Sequence, residues 1–282
     1  RAEGGALGLA DLAAYRVREV PVCSADFAGY VVNGRRDLSG TVDTLRRIDS
    51  GLWLEPGKRA VAAADALTTA DDGQLGDTTN VSVVDAAGNA CVVTTTLGIG
   101  SGVWPRGTGI HLNSMLGEGE LLCGPSVPGA RMSSMMSPLV VRDAADGRVV
   151  LAAGAAGASR IRTALVHTLT GVLADGLSTA EAIAAPRFHP VESTVHAEEG
   201  LDGEVCGALE RAGYQLVTWD RDVHYFGGVS AVGDAGAAGD PRRDGAGRLA
   251  QPRRDGAGQL AQPRRDGTGS ICGSDAPSRA PR

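Results

Sequence analysis

The sequence predicts an α+β fold in which a mostly antiparallel sheet is layered against helices. Three features carry this expectation. Strand-like runs come in adjacent pairs joined by short turns. Helical periodicity follows those pairs instead of alternating with single strands. The chain of 282 residues is 43% hydrophobic, enough for one sizeable core plus a tail. A four-layer αββα sandwich satisfies this order of elements.

From the start of the chain, residues 1–34 combine a short helix around Leu9–Tyr15 with strand-like stretches at Arg18–Val22 and Tyr30–Val32. Residues 37–72 read as helical, most clearly the Ala-rich Lys58–Leu67. Asp71–Asp77 is polar and Gly-rich and reads as an exposed linker. Thr79–Asp85 and Ala90–Thr96 are β-prone and are joined across Ala86–Asn89, a Gly/Asn turn. Ser137–Asp143 and Arg148–Ala153 form a second pair. In Ser159–Ala174 the apolar residues Ile161, Leu165, Leu169, Val172 and Leu173 recur at helical spacing. Ser178 with Glu181 three residues on makes a capping box for a helix that Pro186 ends. A short strand at Ser193–Ala197, a helix at Glu204–Ala212, and strands near Gln215–Trp219 and Gly227–Val232 follow.

The tail differs in character. From Pro241 an eleven-residue period repeats as PRRDGAGRLAQ, PRRDGAGQLAQ and PRRDGTGS. A repeat dominated by Gly, Pro and Arg cannot bury a core, so 241–282 is expected to be disordered.

Composition narrows the function. A net charge of -6 supplies no electrostatic basis for binding nucleic acid or an anionic membrane surface. Cys23, Cys91, Cys123, Cys206 and Cys272 are scattered without a CxxC pair, and the histidines show no HExxH spacing. Neither a disulfide framework nor a metal site is indicated. No apolar run approaches the ~20 residues that cross a bilayer. No signal peptide opens the chain, which starts at Arg1 as if within a longer protein, so the compartment stays open.

The sharpest chemical feature is the run Asp77-Thr78-Thr79-Asn80-Val81-Ser82-Val83-Val84-Asp85, where a polar linker meets a strand at a Thr pair. Such a junction suits a residue that attacks its own preceding peptide bond. The amine released then serves as general base for the same hydroxyl. Thr is also common at ordinary strand starts, and spacing alone favours that plainer reading.

The run DTTNVSVVDAAGNACVVTTTLGIGSG closely resembles the start of the small subunit of the γ-glutamyltranspeptidases, an Ntn-hydrolase family. Further likenesses follow in the family's order. They are Arg131–Pro138 (RMSSMMSP), Gly154–Ile161 (GAAGASRI), Ala180–His189 (AEAIAAPRFH), the Gly227–Val232 strand and the DPRRDG segment. The resemblance runs from about Thr78 to Gly245, and residues 1–34 resemble a segment late in the large subunit. It implies a partial Ntn-hydrolase αββα sandwich with most of the large subunit missing. Residues 1–77 are then the end of a large-subunit-like region with its linker, and 78–240 a small-subunit-like catalytic region.

By position, the resemblance makes Thr78 the nucleophile for self-cleavage and acyl transfer. Thr96 would hydrogen-bond it and Thr79 would support it. Gly157 and Ala158 would present backbone N–H groups to the oxyanion. Ser133 and Ser134 would hold the substrate α-carboxylate, although each also reads as part of a capped turn. Glu118 stands where the family has the Asp that pairs with the substrate ammonium, Met115 replaces a Gln and Gly98 an Asn. Arg160 reads as structural. The Leu121–Met132 stretch is short, so the family's aromatic-gated lid loop is expected to be absent and water to compete with transfer. The family's carboxylate-binding Arg would lie upstream of Arg1. The expected donor is glutathione or another γ-glutamyl amide, and the acceptor an amino acid, a peptide or water, with no cofactor. Two alternatives stay open: a related acylase of different amide specificity, and an inactive truncated remnant.

Overall fold

In the computed structural model, the residues described are 8–48, 55–68, 77–117, 121, 127, 129–220 and 223–233. Residues 71–76 of the expected linker, Glu118, most of the stretch after Leu121, and the repeats from Pro241 lie outside them.

The first helix, α1, is Leu9–Ala14, as the sequence predicts. The first strand is not at Arg18–Val22. Strand β1 is Val22–Phe27, and it pairs antiparallel with β2, Tyr30–Arg35. Its inward residues Cys23, Ala25 and Phe27 alternate with outward Val22, Ser24 and Asp26, a weak pattern because two of the three inward side chains are small. Ala28 and Gly29, with φ of 51° and 84°, form the tight turn between them. Two helices occupy the expected helical region: α2, Gly40–Arg47, and α3, Pro56–Leu67.

Strand β3, Asp77–Val84, and β4, Ala90–Gly98, form the expected hairpin. Asp85 closes it, its Oδ1 accepting from the N–H groups of Ala87 (2.8 Å) and Asn89 (2.9 Å). Strands β5, Leu139–Asp143, and β6, Val149–Ala156, complete the second pair. Helix α4 is Arg160–Leu173, and its Ile161, Leu165, Leu169, Val172 and Leu173 are all buried. Fully burying each such side chain is worth roughly 1.5–3 kcal/mol. Helix α5, Thr179–Ala184, carries the expected capping box, with Ser178 Oγ accepting from Glu181 N at 3.2 Å and Glu181 Oε2 accepting from Ser178 N at 2.9 Å.

The sequence reading passes over β7, Phe188–Val191, because Pro190 sits inside it. It pairs with β8, Thr194–Glu198. After α6, Gly203–Arg211, strand β9, Gln215–Trp219, lies parallel to β8. This β8–α6–β9 crossover is the exception to the antiparallel expectation. The last described strand is β10, Gly228–Gly233.

The main sheet has the order β1-β2-β5-β6-β10 and is antiparallel throughout. Helices α2 and α4 pack against it, and the β3–β4 hairpin lies against β6 and β10. Strand alternation places these layers on opposite faces. Ala153 and Ala155 of β6 join the core shared with Ile161 and Leu165, whereas Gly154 between them meets Asn80 of the hairpin. The described residues thus build helix, sheet and sheet in that order. The outward face of the hairpin carries Val81, Val83 and Val93, all exposed. Among the described residues no helix is long and apolar enough to cross a membrane.

Candidate active site

Alternation along β3 turns Thr78, Asn80 and Ser82 toward the main sheet and Thr79, Val81 and Val83 outward. Thr78 pairs with Thr96 across the hairpin. Its Oγ1 donates to Thr96 Oγ1 at 3.1 Å, and that oxygen also accepts from Gly98 N at 3.0 Å. The ladder shifts register between Asp77 and Thr78: Asp77 faces Gly98 and Thr78 faces Thr96, which leaves Leu97 as the extra residue. A bulge of this kind bends the strand and re-aims the local peptide. It lies across the ladder from the peptide bond that precedes Thr78. No feature of a single strand's composition signals it, since it exists only in the pairing.

The second part of the site is the turn between β6 and α4. Gly157 has φ +131°, and Ala158 has φ +50°, an uncommon left-handed conformation for alanine. The Gly157 carbonyl accepts from Arg160 N at 2.9 Å and that of Ala158 from Ile161 N at 3.1 Å, so both point along the helix. In a trans peptide the N–H opposes the carbonyl, so the N–H of Ala158 is directed away from α4. It precedes the positive end of a 14-residue helix. This is the arrangement that favours a developing oxyanion.

Arg160 holds the turn from behind. It is 1% exposed, donates from Nε to the Tyr225 carbonyl at 3.1 Å and from Nη1 to Ser159 Oγ at 3.0 Å, and lies 5.1 Å from the centroid of the Tyr225 ring. Tyr225 stacks in turn on Trp219, with ring centroids 4.6 Å apart. Gly227 follows this aromatic group, and a methyl built at Gly157 would stand 2.7 Å from its Cα.

The structure therefore brings Thr78 and Thr96 together, and it places Gly157 and Ala158 in a polarised turn at the end of the strand beneath their hairpin. It does not bring Thr79 to them, because Thr79 is exposed on the opposite face of β3. Ser133 is exposed in the irregular segment before β5, and Ser134 Oγ accepts from Met136 N at 3.2 Å, as a capped turn would have it. Gly98 has φ +64° and Met115 begins a short 3₁₀ turn. The AAPRFH segment is a packing element. Arg187 N donates to Glu198 Oε2 at 2.7 Å, Phe188 is buried, and His189 Nδ1 lies 2.8 Å from Thr163 Oγ1. Among the described residues no group of three His, Cys, Asp or Glu side chains could hold a metal ion.

Two residues the sequence reading did not single out belong to the site's framework. Asn80 is one, and the available signal was an Asn inside a strand, where it is disfavoured. Gly154 beneath it is the other.

The sequence profile of the gamma-glutamyltranspeptidase family matches residues 55–250. The glutathione hydrolase proenzyme of Pseudomonas aeruginosa is 34% identical over 191 residues, covering 60% of this chain and 34% of that protein. The acylase ACY 1 proenzyme of Pseudomonas sp. (strain SE83) is 25% identical over 290 residues, covering 82% of this chain and 51% of that protein. The solved structure of cephalosporin acylase from Bacillus halodurans shares the fold, with a TM-score of 0.62 at 19% identity over 84% of this chain and 53% of that one. The chain spans between 22% and 51% of the length of these and related bacterial glutathione hydrolase and acylase proenzymes.

Proposed function

The chain belongs to the gamma-glutamyltranspeptidase family of Ntn hydrolases, and from that premise we propose that it is part of a γ-glutamyl hydrolase or transferase precursor that cleaves itself before Thr78. The observation that carries this reading is the Thr78–Thr96 hydroxyl contact of 3.1 Å, beside a bulge at Leu97 that lies opposite the Asp77–Thr78 bond.

In the maturation step, Thr78 Oγ1 attacks the Asp77 carbonyl carbon. The acyl group moves from nitrogen to oxygen, and water then hydrolyses the ester. Asp77 is left with a carboxylate and Thr78 with a free amine. In turnover that amine takes the Thr78 hydroxyl proton as Oγ1 attacks the γ-carbonyl of a glutamyl amide. The tetrahedral oxyanion is stabilised at the Gly157–Ala158 turn, where losing one donor typically costs about 3–4 kcal/mol. The amine returns the proton to the departing nitrogen. Water or an amino-acid amine then takes the acyl group from Thr78. Glutathione is the donor of choice, since the curated relatives include glutathione hydrolases. Ser133 and Ser134 are proposed to meet the donor's α-carboxylate and Glu118 its ammonium group.

A second reading keeps this chemistry and changes the acyl group. Gly98 and Met115 stand where amides would assist γ-glutamyl binding, and a relative that covers 82% of this chain is named an acylase. Comparing hydrolysis of γ-glutamyl and glutaryl anilides separates the two, because glutaryl lacks the ammonium group. Maturation is tested by intact-mass analysis of the purified chain beside Thr78→Ala. Two pieces from the wild type, the second beginning at Thr78, with none from the variant, are expected. Splitting in the variant would overturn the assignment of Thr78, and an unsplit wild-type chain would overturn self-cleavage of this chain by itself.

A further inference from the structure

One contact joins the nucleophile's strand to the strand that leads into the oxyanion turn. Asn80 lies two residues after Thr78 and faces the main sheet. Its Oδ1 accepts from Thr94 Oγ1 on β4 at 2.7 Å. Its Nδ2 donates to Ser82 Oγ at 2.9 Å and to the Ser230 carbonyl on β10 at 3.2 Å. Directly below is Gly154 of β6, which pairs with Ser230 in the ladder. A Cβ on Gly154 would stand 2.0 Å from Asn80 Oδ1, 2.5 Å from its Cγ and 3.0 Å from its Nδ2. The amide of Asn80 therefore rests on bare backbone, and only glycine leaves room for it. Gly154 lies three residues before Gly157.

We propose that Asn80 is a positioning residue for Thr78, with Gly154 as its socket, and that this pair sets the spacing between the nucleophile and the oxyanion turn. The inference rests on Thr78 being the nucleophile. The chemistry of the side chain fits the task. The group must accept from Thr94 at one end and donate to the Ser230 carbonyl at the other, which a planar amide does and a carboxylate does not. Asp at this position would set an anion against a carbonyl oxygen. Gln would lift the strand by a methylene. Asn80 is only partly buried, so trimming it removes this spacing without opening the core.

The test is a double-mutant cycle on the purified protein, with kcat and KM for a γ-glutamyl or glutaryl anilide read for each member. Asn80→Ala is expected to lower kcat by roughly 10- to 100-fold with KM changed less than about threefold, as a small misplacement of a reacting group would. Asn80→Asp is expected to fall as far. Gly154→Ala should be as damaging when Asn80 is present, yet add little to Asn80→Ala, because the methyl then occupies vacated space. Urea melts of the same four proteins read the socket independently of turnover, with Gly154→Ala destabilising alone and nearly neutral beside Asn80→Ala. Wild-type turnover with kcat unchanged in Asn80→Ala would overturn this proposal and leave Thr78 as nucleophile. Additive effects of the two substitutions on kcat and stability would overturn the socket. A wild-type protein that turns over neither amide would overturn both this proposal and the function beneath it.

Discussion

Adjacent substitutions in the β6–α4 turn should move stability in opposite directions. At Gly157 an added methyl meets two penalties. The backbone has φ +131°, a region L-residues rarely adopt, at a cost of about 1–3 kcal/mol. The methyl would also stand 2.7 Å from Gly227 Cα, which is backbone and cannot rotate away, and overpacking of this kind costs about 1–3 kcal/mol. Gly157→Ala should therefore destabilise by about 2–6 kcal/mol, a large share of the ~5–15 kcal/mol typical of a domain. At Ala158 the argument reverses. Left-handed backbone costs an L-residue roughly 1–2 kcal/mol, and glycine's extra freedom in the unfolded chain returns roughly 0.5–1 of that. Ala158→Gly should stabilise by about 0.5–1 kcal/mol. Urea denaturation followed by tryptophan fluorescence measures both, since Trp219 stacks on Tyr225 next to this turn. An unchanged midpoint in Gly157→Ala, or a loss of stability in Ala158→Gly, would refute the backbone geometry from which both values follow.

Other expectations test different parts of the molecule. Thr96→Val keeps the shape and removes the acceptor shared by Thr78 Oγ1 and Gly98 N, so stability should fall by about 1–3 kcal/mol and self-cleavage should slow at least about tenfold. A time course of intact mass reads the cleavage, and Thr96→Ser, which restores the hydroxyl, should recover most of it. Burial holds His167 down to about 4 from an ordinary 6.5. The unfolded chain then binds more protons between these values, so stability is full above pH 6.5 and is lost as pH falls toward 4, by up to about 3 kcal/mol. His167→Gln should flatten that part of a stability–pH curve, and an equal slope in both proteins would exclude His167 as its source.

Most elements were legible in the sequence because their signals are local. The α4 stripe repeats at helical spacing, Ser178 and Glu181 make a reciprocal cap, and Asp85–Asn89 carries its own turn chemistry. What local pattern missed has identifiable causes. Strand β1 buries small residues and so lacks contrast, Pro190 hides β7, and the parallel β8–β9 pair depends on how α6 crosses. The candidate site divides the same way. The Thr pair at the start of β3 and the Gly-rich turn before α4 are visible as residue types in order. Their arrangement is not, since the bulge at Asp77/Thr78, the outward turn of Thr79 and the seat of Asn80 on Gly154 arise from strands that meet only after folding.

The sequence alone therefore determined the α+β class and the family likeness, because residue type and order carry that information, and through that likeness it nominates Thr78 as the nucleophile. Only the tertiary structure decided which face of β3 looks at the sheet, which carbonyl Asn80 reaches and where Arg160 buries its charge. Those outcomes depend on pairing register and layer stacking between segments up to 150 residues apart. A one-residue slip in register would turn Thr78 outward and Thr79 inward.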